Sequence, residues 1–468
     1  MLSISLNELL KVTGGKLWNG SKENQAIATG VSIDSRTIKK GNLFVAIPGE
    51  TYDGHQFVPE ATNKGASVVI MSKEKINPLE KKKLNEIFVV LVEDTKKALR
   101  EIAAWHRNKF EVPTVAITGT NGKTTTKDMI AEVLSSKFKV LKSIKSYNNL
   151  VGVPLTLFEL DQDTQVLVLE LGMSNLGEIG ILTKTAKPSL GVITNIAPAH
   201  LESLESLGKI AQAKFELIDN MPSPYTAVLN ADDEFLAKKI KELKEKTISF
   251  GIKNKADFKA DELATSDEGH VGFKVNGKLN INLKLLGEHN VYNALAAFAV
   301  GSLLGVDELK IKESLEIYAP TELRMELVRM GNIKVLNDSY NANPVSMEKA
   351  LKTLNQIKSE GRKIAVLGDM LELGEKTFDY HFELGRSVAE SGIDLLLTMG
   401  KLSLAIGQGA KEYGMSPEKI LAFDNNEKVS SYLAENLKAG DLVLIKGSRK
   451  MKLEEVVLSL KSLYGRQN

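Results

Sequence analysis

Val112-Pro113-Thr114-Val115-Ala116-Ile117-Thr118-Gly119-Thr120-Asn121-Gly122-Lys123-Thr124-Thr125 decides how this chain is read. Val112 to Ile117 is short, apolar and β-branched, the composition of a buried strand. Thr126 to Leu134 sets Met129, Ile130, Val133 and Leu134 on one helical face. Strand, Gly-rich turn and helix form the setting that a phosphate-binding loop requires. Gly119 and Gly122 allow backbone N–H groups to approach phosphate oxygens, and the helix N-terminus adds positive potential. Lys123 then reaches the terminal phosphates, and Thr124 offers a hydroxyl to Mg²⁺. Residues Gly119, Thr120, Asn121, Gly122, Lys123, Thr124 and Thr125 are therefore expected to bind ATP. The full pattern asks for glycine six residues before the lysine, where Ile117 stands. A helix-capping turn without a ligand is the competing reading.

With 468 residues, about three domains are expected. Hydrophobic residues at 43% and charged residues at 26% fit a globular protein in water. The 61 basic and 59 acidic side chains leave a formal charge of +2, which gives no reason to expect nucleic acid or an anionic membrane as partner. Lys81-Lys82-Lys83 reads as a solvated face. The absence of cysteine excludes disulfides, thiolate metal sites and cysteine nucleophiles. Met1 to Leu10 lacks a signal-peptide pattern, and no apolar run approaches bilayer-spanning length. A cytoplasmic protein, a monomer, is expected.

The expected fold class is α/β in three domains. Residues 1–92 form a small N-terminal α/β domain with strands Leu43 to Ile47, Ser67 to Met71 and Phe88 to Val92. Residues 93–319 form a central, mostly parallel-sheet ATPase domain. It opens with a helix that Asp94 caps and that runs through Trp105, followed by strands Gln165 to Leu169, Leu190 to Thr194 and Ala227 to Leu229. A hairpin-like stretch from Ile248 to Leu286 and an apolar helix from Tyr292 to Leu304 complete it. Residues 320–468 reset the alternation, with strands Lys334 to Leu336, Lys363 to Leu367, Leu395 to Met399 and Leu442 to Ile445. That pattern predicts a doubly wound, Rossmann-like C-terminal domain.

Glu170 ends one central strand and His200 follows another, at the sheet edge where ligands gather. Alone, Glu170 reads more readily as a solvated strand-end carboxylate, and His200 as a surface or hydrogen-bonded residue. Beside a phosphate loop, Glu170 becomes a candidate Mg²⁺ ligand. Lys214, in the helical segment Lys209 to Ile218, reads by default as a solvated charge.

Together these pieces resemble the ATP-dependent Mur ligases, which build the peptide stem of bacterial cell-wall precursors. The resemblance continues at Gly287-Glu288-His289-Asn290-Val291-Tyr292-Asn293-Ala294 and Arg324, over nearly the whole chain. Asn148-Asn149-Leu150-Val151-Gly152-Val153-Pro154, Asp338-Ser339-Tyr340-Asn341-Ala342-Asn343-Pro344 and Leu367-Gly368-Asp369-Met370-Leu371-Glu372-Leu373-Gly374 resemble the branch that adds D-alanyl-D-alanine to UDP-N-acetylmuramoyl-tripeptide. The Asp-Asn-Pro-Arg element of the diamino-acid-adding branch is absent.

The resemblance implies roles. Lys123, Glu170, His200 and Lys214 would be catalytic, with Thr124, Glu170 and His200 holding Mg²⁺ and Lys214 carrying a carbamate. Asn290 and Asn293 would meet adenine, Arg324 a phosphate and Asp338 the ribose. Ser35 and Arg36 would bind the uridine-nucleotide end. Asn148, Asn149, Lys446, Ser448 and Arg449 would contact the remaining substrate. The competing functions are the diamino-acid ligase, a folylpolyglutamate synthase-like ligase, and an ATP-binding switch that forms no amide.

Overall fold

The computed structural model describes residues 2–18, 26–76, 87–144, 146–243 and 245–464, so the lysine cluster at 81–83 lies outside the described residues. Three sheets organise the chain, beside a small antiparallel pair of Ser3–Ser5 with Ile27–Thr29. The N-terminal sheet runs Lys16–Leu17, Phe88–Val92, Val68–Ser72, Leu43–Val45, Val31–Ser32, parallel except at the first pair. One of its faces packs Leu43, Val45, Ile70 and Val90 into the same core as the helix Thr95–Arg107. Asp94 caps that helix by accepting the N–H groups of Lys96 and Lys97. The helix thereby joins the N-terminal sheet to the central one.

The central sheet has nine strands, seven of them paired in parallel in the order Phe258–Thr265, Lys246–Gly251, Thr226–Asn230, Leu190–Ile193, Thr114–Thr118, Val166–Glu170, Val140–Lys142. The continuous apolar runs of Leu190–Ile193, Thr114–Thr118 and Val166–Glu170 follow from burial on both faces. Val115, Ile117, Val166 and Val168 meet the helices Lys123–Ser135 and His289–Leu303, whereas Ala116, Leu167 and Leu169 meet Glu178–Ala186 and Leu207–Asp219. The strand before the Gly-rich turn begins at Thr114, not Val112, because Pro113 has no N–H to give a ladder. Its helix begins at Lys123, three residues earlier than apolar spacing suggested, with Gly122 at the cap. Lys246–Gly251 is a parallel member of the sheet and not the start of a hairpin. Antiparallel pairing is confined to Phe258–Thr265, His270–Val275 and Leu279–Leu286.

The C-terminal sheet runs Glu326–Met330, Ile333–Asn337, Leu442–Lys446, Lys363–Gly368, Leu395–Met399, Ile420–Phe423, parallel after an antiparallel edge strand. Ala365 and Leu367 point to a core with the helix Pro344–Gln356, and Ile364 and Val366 to one with Glu454–Tyr464. This is the expected doubly wound arrangement. Among the described residues no helix is long and apolar enough to cross a membrane.

Candidate active site

Parallel register puts Thr118, Glu170 and Ile193 at one edge of the central sheet, with Glu170 paired to Ile117 and Ile193 to Thr118. Brought to the same edge, the loop after Thr118 is fixed by the loop after Ile193. Thr120 N–H donates to Asn195 O at 2.9 Å, and Asn121 N–H to Asn195 Oδ1 at 3.0 Å. Asn195 Nδ2 and Thr194 Oγ1 both donate to Asn121 O, at 3.0 and 2.6 Å. Asn195 therefore holds the turn from the neighbouring strand. Ile117, where the full motif has glycine, is a fully buried strand residue.

Both loop glycines are required. Gly119 has φ +145° and an added Cβ would overlap Thr194 Oγ1; Gly122 has φ +81° and a Cβ would overlap Asn293 Oδ1. Asn293 is held by Thr126 Oγ1, which donates to its Oδ1 at 3.1 Å, and it donates in turn to Asn290 Oδ1 at 2.9 Å. Asn290 Nδ2 donates to Leu286 O at 2.8 Å. This chain of amides forms one wall of a cleft of about 770 Å³ that Thr125 also lines. His289 and Lys349 line it too, and apolar spacing gave no signal for either. Burial pushes His289 down to about 3, with the charge of Lys349 adding to the effect.

Lys123 Nζ donates to Gly119 O and Thr120 O, at 2.9 and 3.0 Å, curling over its own loop. Desolvation holds its pKa below the ordinary lysine value, opposed by Glu170. Thr124 Oγ1 donates to Glu170 Oε2 at 2.8 Å, and Asn148 Nδ2 donates to Glu170 Oε1 at 2.7 Å. Asn149 uses its side-chain oxygen to accept the N–H groups of Val151 and Gly152, a turn role.

The C-terminal sheet closes the cleft. Arg324 Nη2 donates to Thr124 Oγ1 at 3.0 Å, and the guanidinium carbon lies 3.9 Å from the ring centre of Tyr340. Asn343 Nδ2 donates to Asn121 Oδ1 at 2.8 Å, and Ser146 Oγ lies 2.5 Å from the Tyr340 hydroxyl. Asp338 accepts from Met325 N–H at 3.1 Å and from Lys446 Nζ at 2.6 Å, and Lys446 also donates to Asn341 O at 2.9 Å. The buried Lys446 therefore anchors Asp338 in the cleft wall. Ser448 cross-links two strand ends: its N–H donates to Asp369 O, and its Oγ accepts Leu371 N–H. Arg449 is half exposed and paired with Glu454 at 2.7 Å.

His200 lines the cleft with φ +54°, and its Nδ1 lies 2.7 Å from Glu372 Oε2 of the C-terminal domain. Burial lowers its pKa; Glu372 opposes the shift, and Lys123 and Lys214 reinforce it. Lys214 is 3% exposed and has no hydrogen-bond or ion-pair partner among the described residues. Desolvation, then the charge of Lys123, holds its pKa well below the ordinary value. The default reading as a solvated charge is wrong. Ser35 and Arg36 do not border this cleft. Ser35 is buried and donates to Glu60 at 2.8 Å, and Arg36 forms an exposed pair with Asp34 at 2.7 Å.

Residues 27–113 match the Mur ligase family catalytic domain, 117–301 the Mur ligase middle domain, and 323–449 the Mur ligase glutamate ligase domain. The UDP-N-acetylmuramoyl-tripeptide–D-alanyl-D-alanine ligase of Bacillus subtilis is 35% identical over 98% of this chain and 99% of its own. A crystal structure of MurF from Acinetobacter baumannii superposes with a TM-score of 0.88 at 29% identity, covering 99% of each chain. MurF ligase from Thermotoga maritima in complex with ADP gives 0.82 at 27% identity, over 94% of this chain and 99% of that one.

Proposed function

The chain belongs to the Mur ligase family, and on that premise we propose that it works as the MurF-type member, an ATP-dependent amide ligase. It joins the amine of D-alanyl-D-alanine to the terminal carboxylate of UDP-N-acetylmuramoyl-tripeptide and releases ADP and phosphate, a step of peptidoglycan precursor synthesis in the cytoplasm. The working unit in this reading is a monomer. The observation that carries the reading is the convergence of Lys123, Thr124 and Glu170 from the central sheet with Arg324 from the C-terminal one.

The substrate carboxylate attacks the γ-phosphorus of ATP, giving an acyl phosphate and ADP. The dipeptide amine then attacks the acyl carbon, phosphate leaves, and the nitrogen loses its proton. Both steps build negative charge on phosphoryl oxygens. Lys123, released from its loop carbonyls, is placed to meet that charge together with the loop N–H groups and Arg324. Closure of Arg324, Tyr340 and Asn343 onto the loop excludes water from a hydrolysable intermediate. Asn290 and Asn293 face the base, and Asp338, steadied by Lys446, faces the ribose.

Thr124 and Glu170 present hard oxygen donors 2.8 Å apart, which suits Mg²⁺. No group of three or more His, Asp or Glu side chains forms a metal cage among the described residues. The phosphates would therefore complete the coordination, as Mg²⁺ sites in phosphoryl-transfer enzymes require. Mg²⁺ held by Thr124 and Glu170 would neutralise phosphate charge, and His200 would hold a cation on the carboxylate side. Lys214 is buried without a partner and has a depressed pKa, so it can be the neutral amine that takes up CO₂. The amine nitrogen bonds the CO₂ carbon and a proton is lost, leaving a carbamate anion. Ser35 and Arg36 take the uridine-nucleotide end, Arg36 by leaving Asp34 for the diphosphate. Asn148 and Asn149, which line the cleft, take the peptide end, whereas Ser448 and Arg449 lie outside its lining. The test is phosphate release: it should require ATP, the tripeptide precursor and D-alanyl-D-alanine together, and release with nucleotide alone would remove the ligase reading.

A further inference from the structure

After the strand Lys363–Gly368 the chain passes through Asp369-Met370-Leu371-Glu372-Leu373-Gly374 before the helix Thr377–Glu390. The loop is held from several directions. Ser403 N–H donates to Asp369 Oδ1 at 2.8 Å, and Leu371 N–H to Ser448 Oγ at 2.9 Å. Met370 N–H donates to His381 Nε2 at 2.9 Å, while His381 Nδ1 lies 2.7 Å from Thr377 O. A carbonyl only accepts, so Nδ1 of His381 carries the proton and Nε2 takes the Met370 N–H. His381, Met370 and Leu373 are all buried, which fixes the loop to the C-terminal core.

Glu372 is the residue this anchoring projects. It has φ +64° and faces His200, which has φ +54°. Left-handed backbone is costly for residues with a Cβ and persists where its surroundings impose it. Two such residues from different sheets therefore meet side chain to side chain, with Oε2 and Nδ1 at 2.7 Å. Glu202 N–H adds a backbone contact to Glu372 O at 3.2 Å. The pair is partly exposed, 33% for His200 and 54% for Glu372, so it contributes little to stability. Stability does not account for holding both backbones in this conformation.

We propose that Glu372 is a positioning residue for His200: it accepts the Nδ1 proton and leaves the Nε2 lone pair free, and does so only when the C-terminal domain is docked. The inference rests on the reading of His200 as a cation-side ligand. A carboxylate behind a ligating imidazole fixes tautomer and ring orientation. Here the carboxylate comes from the domain that also delivers Arg324. An undocked His200, free to keep its proton on Nε2, presents an N–H to the cation instead of a lone pair. Completion of the site is thereby tied to closure, before an acyl phosphate can form.

The experiment uses the full chain labelled with ¹⁵N-histidine, without ligands, above the titration range of His200. Long-range ¹H–¹⁵N correlation shows which ring nitrogen carries the proton, and His200→Gln identifies the signal. The wild type should show the Nδ1–H form, Glu372→Ala should shift it toward Nε2–H, and Glu372→Gln, whose amide oxygen still accepts, should retain Nδ1–H. In parallel, the Mg²⁺ concentration for half-maximal turnover should rise about 10- to 100-fold in Glu372→Ala and much less in Glu372→Gln. An Nε2–H wild type, or an alanine variant with unchanged tautomer and Mg²⁺ requirement, overturns the inference while leaving the ligase reading intact. A wild type that forms no amide sinks the ligase reading, and the tautomer still decides the role of Glu372.

Discussion

Replacing Lys214 with methionine should move stability and activity in opposite directions. The side chain is 3% exposed and has no hydrogen-bond or ion-pair partner among the described residues. Burying an unpaired polar group costs roughly 1–3 kcal/mol, and methionine fills similar volume without one. In CO₂-depleted buffer the variant should therefore be more stable by about 1–2 kcal/mol, a rise of roughly 2–8 °C in the unfolding midpoint of the central domain. The sign with pH follows from the depressed pKa, which desolvation and Lys123 produce. Between the folded and unfolded pKa values the unfolded chain binds more protons, so the lysine's penalty is present below the unfolded value and vanishes as pH rises through it. The advantage of methionine should thus shrink as pH approaches the ordinary lysine value of 10.5. Ligation should fall by at least ~10³-fold, since an anion facing the cation site is lost. Thermal unfolding across pH and ADP release on the same preparations check both halves. A variant that is less stable and still active would refute the reasoning, returning Lys214 to an ordinary cation.

Gly122→Ala forces a left-handed alanine, costing about 1–2 kcal/mol, against the Asn293 amide. ATP should bind about 10-fold or more weakly in a nucleotide titration. Lys123→Ala should lower ADP release at least ~10³-fold with little change in unfolding temperature, because Nζ bonds only loop carbonyls. Arg324→Ala removes the Thr124 contact and the Tyr340 stack, so kcat should fall on the order of 10²-fold while uridine-substrate binding, by calorimetry, is unchanged.

Elements buried on both sheet faces were legible from composition, and so was the strand–turn–helix around Gly119 and Gly122, because its three parts share one local pattern. Edge strands were not. Glu326–Met330, Ile420–Phe423 and Val140–Lys142 bury less and carry weaker patterns. The hairpin expectation failed at Lys246–Gly251 because a half-buried strand reads alike in parallel and antiparallel pairing. Glu170 could be placed at the ligand edge from its position at a strand end, but its pairing beside the loop strand could not. Pairs across the cleft, such as Asn121 with Asn343 or His200 with Glu372, are separated by 222 and 172 residues. No local periodicity encodes their meeting. Lys214 illustrates the same limit, since helical spacing gives no sign that a lysine faces the core.

The central claim is the identity of the bond formed, and mass spectrometry of the reaction product tests it most directly. Incubation with ATP, Mg²⁺, the UDP-muramoyl dipeptide and tripeptide, D-alanyl-D-alanine and a diamino acid should extend the tripeptide by one D-alanyl-D-alanine, less one water, and leave the dipeptide unchanged. A dipeptide heavier by one diamino acid, with no extension of the tripeptide, would contradict the account.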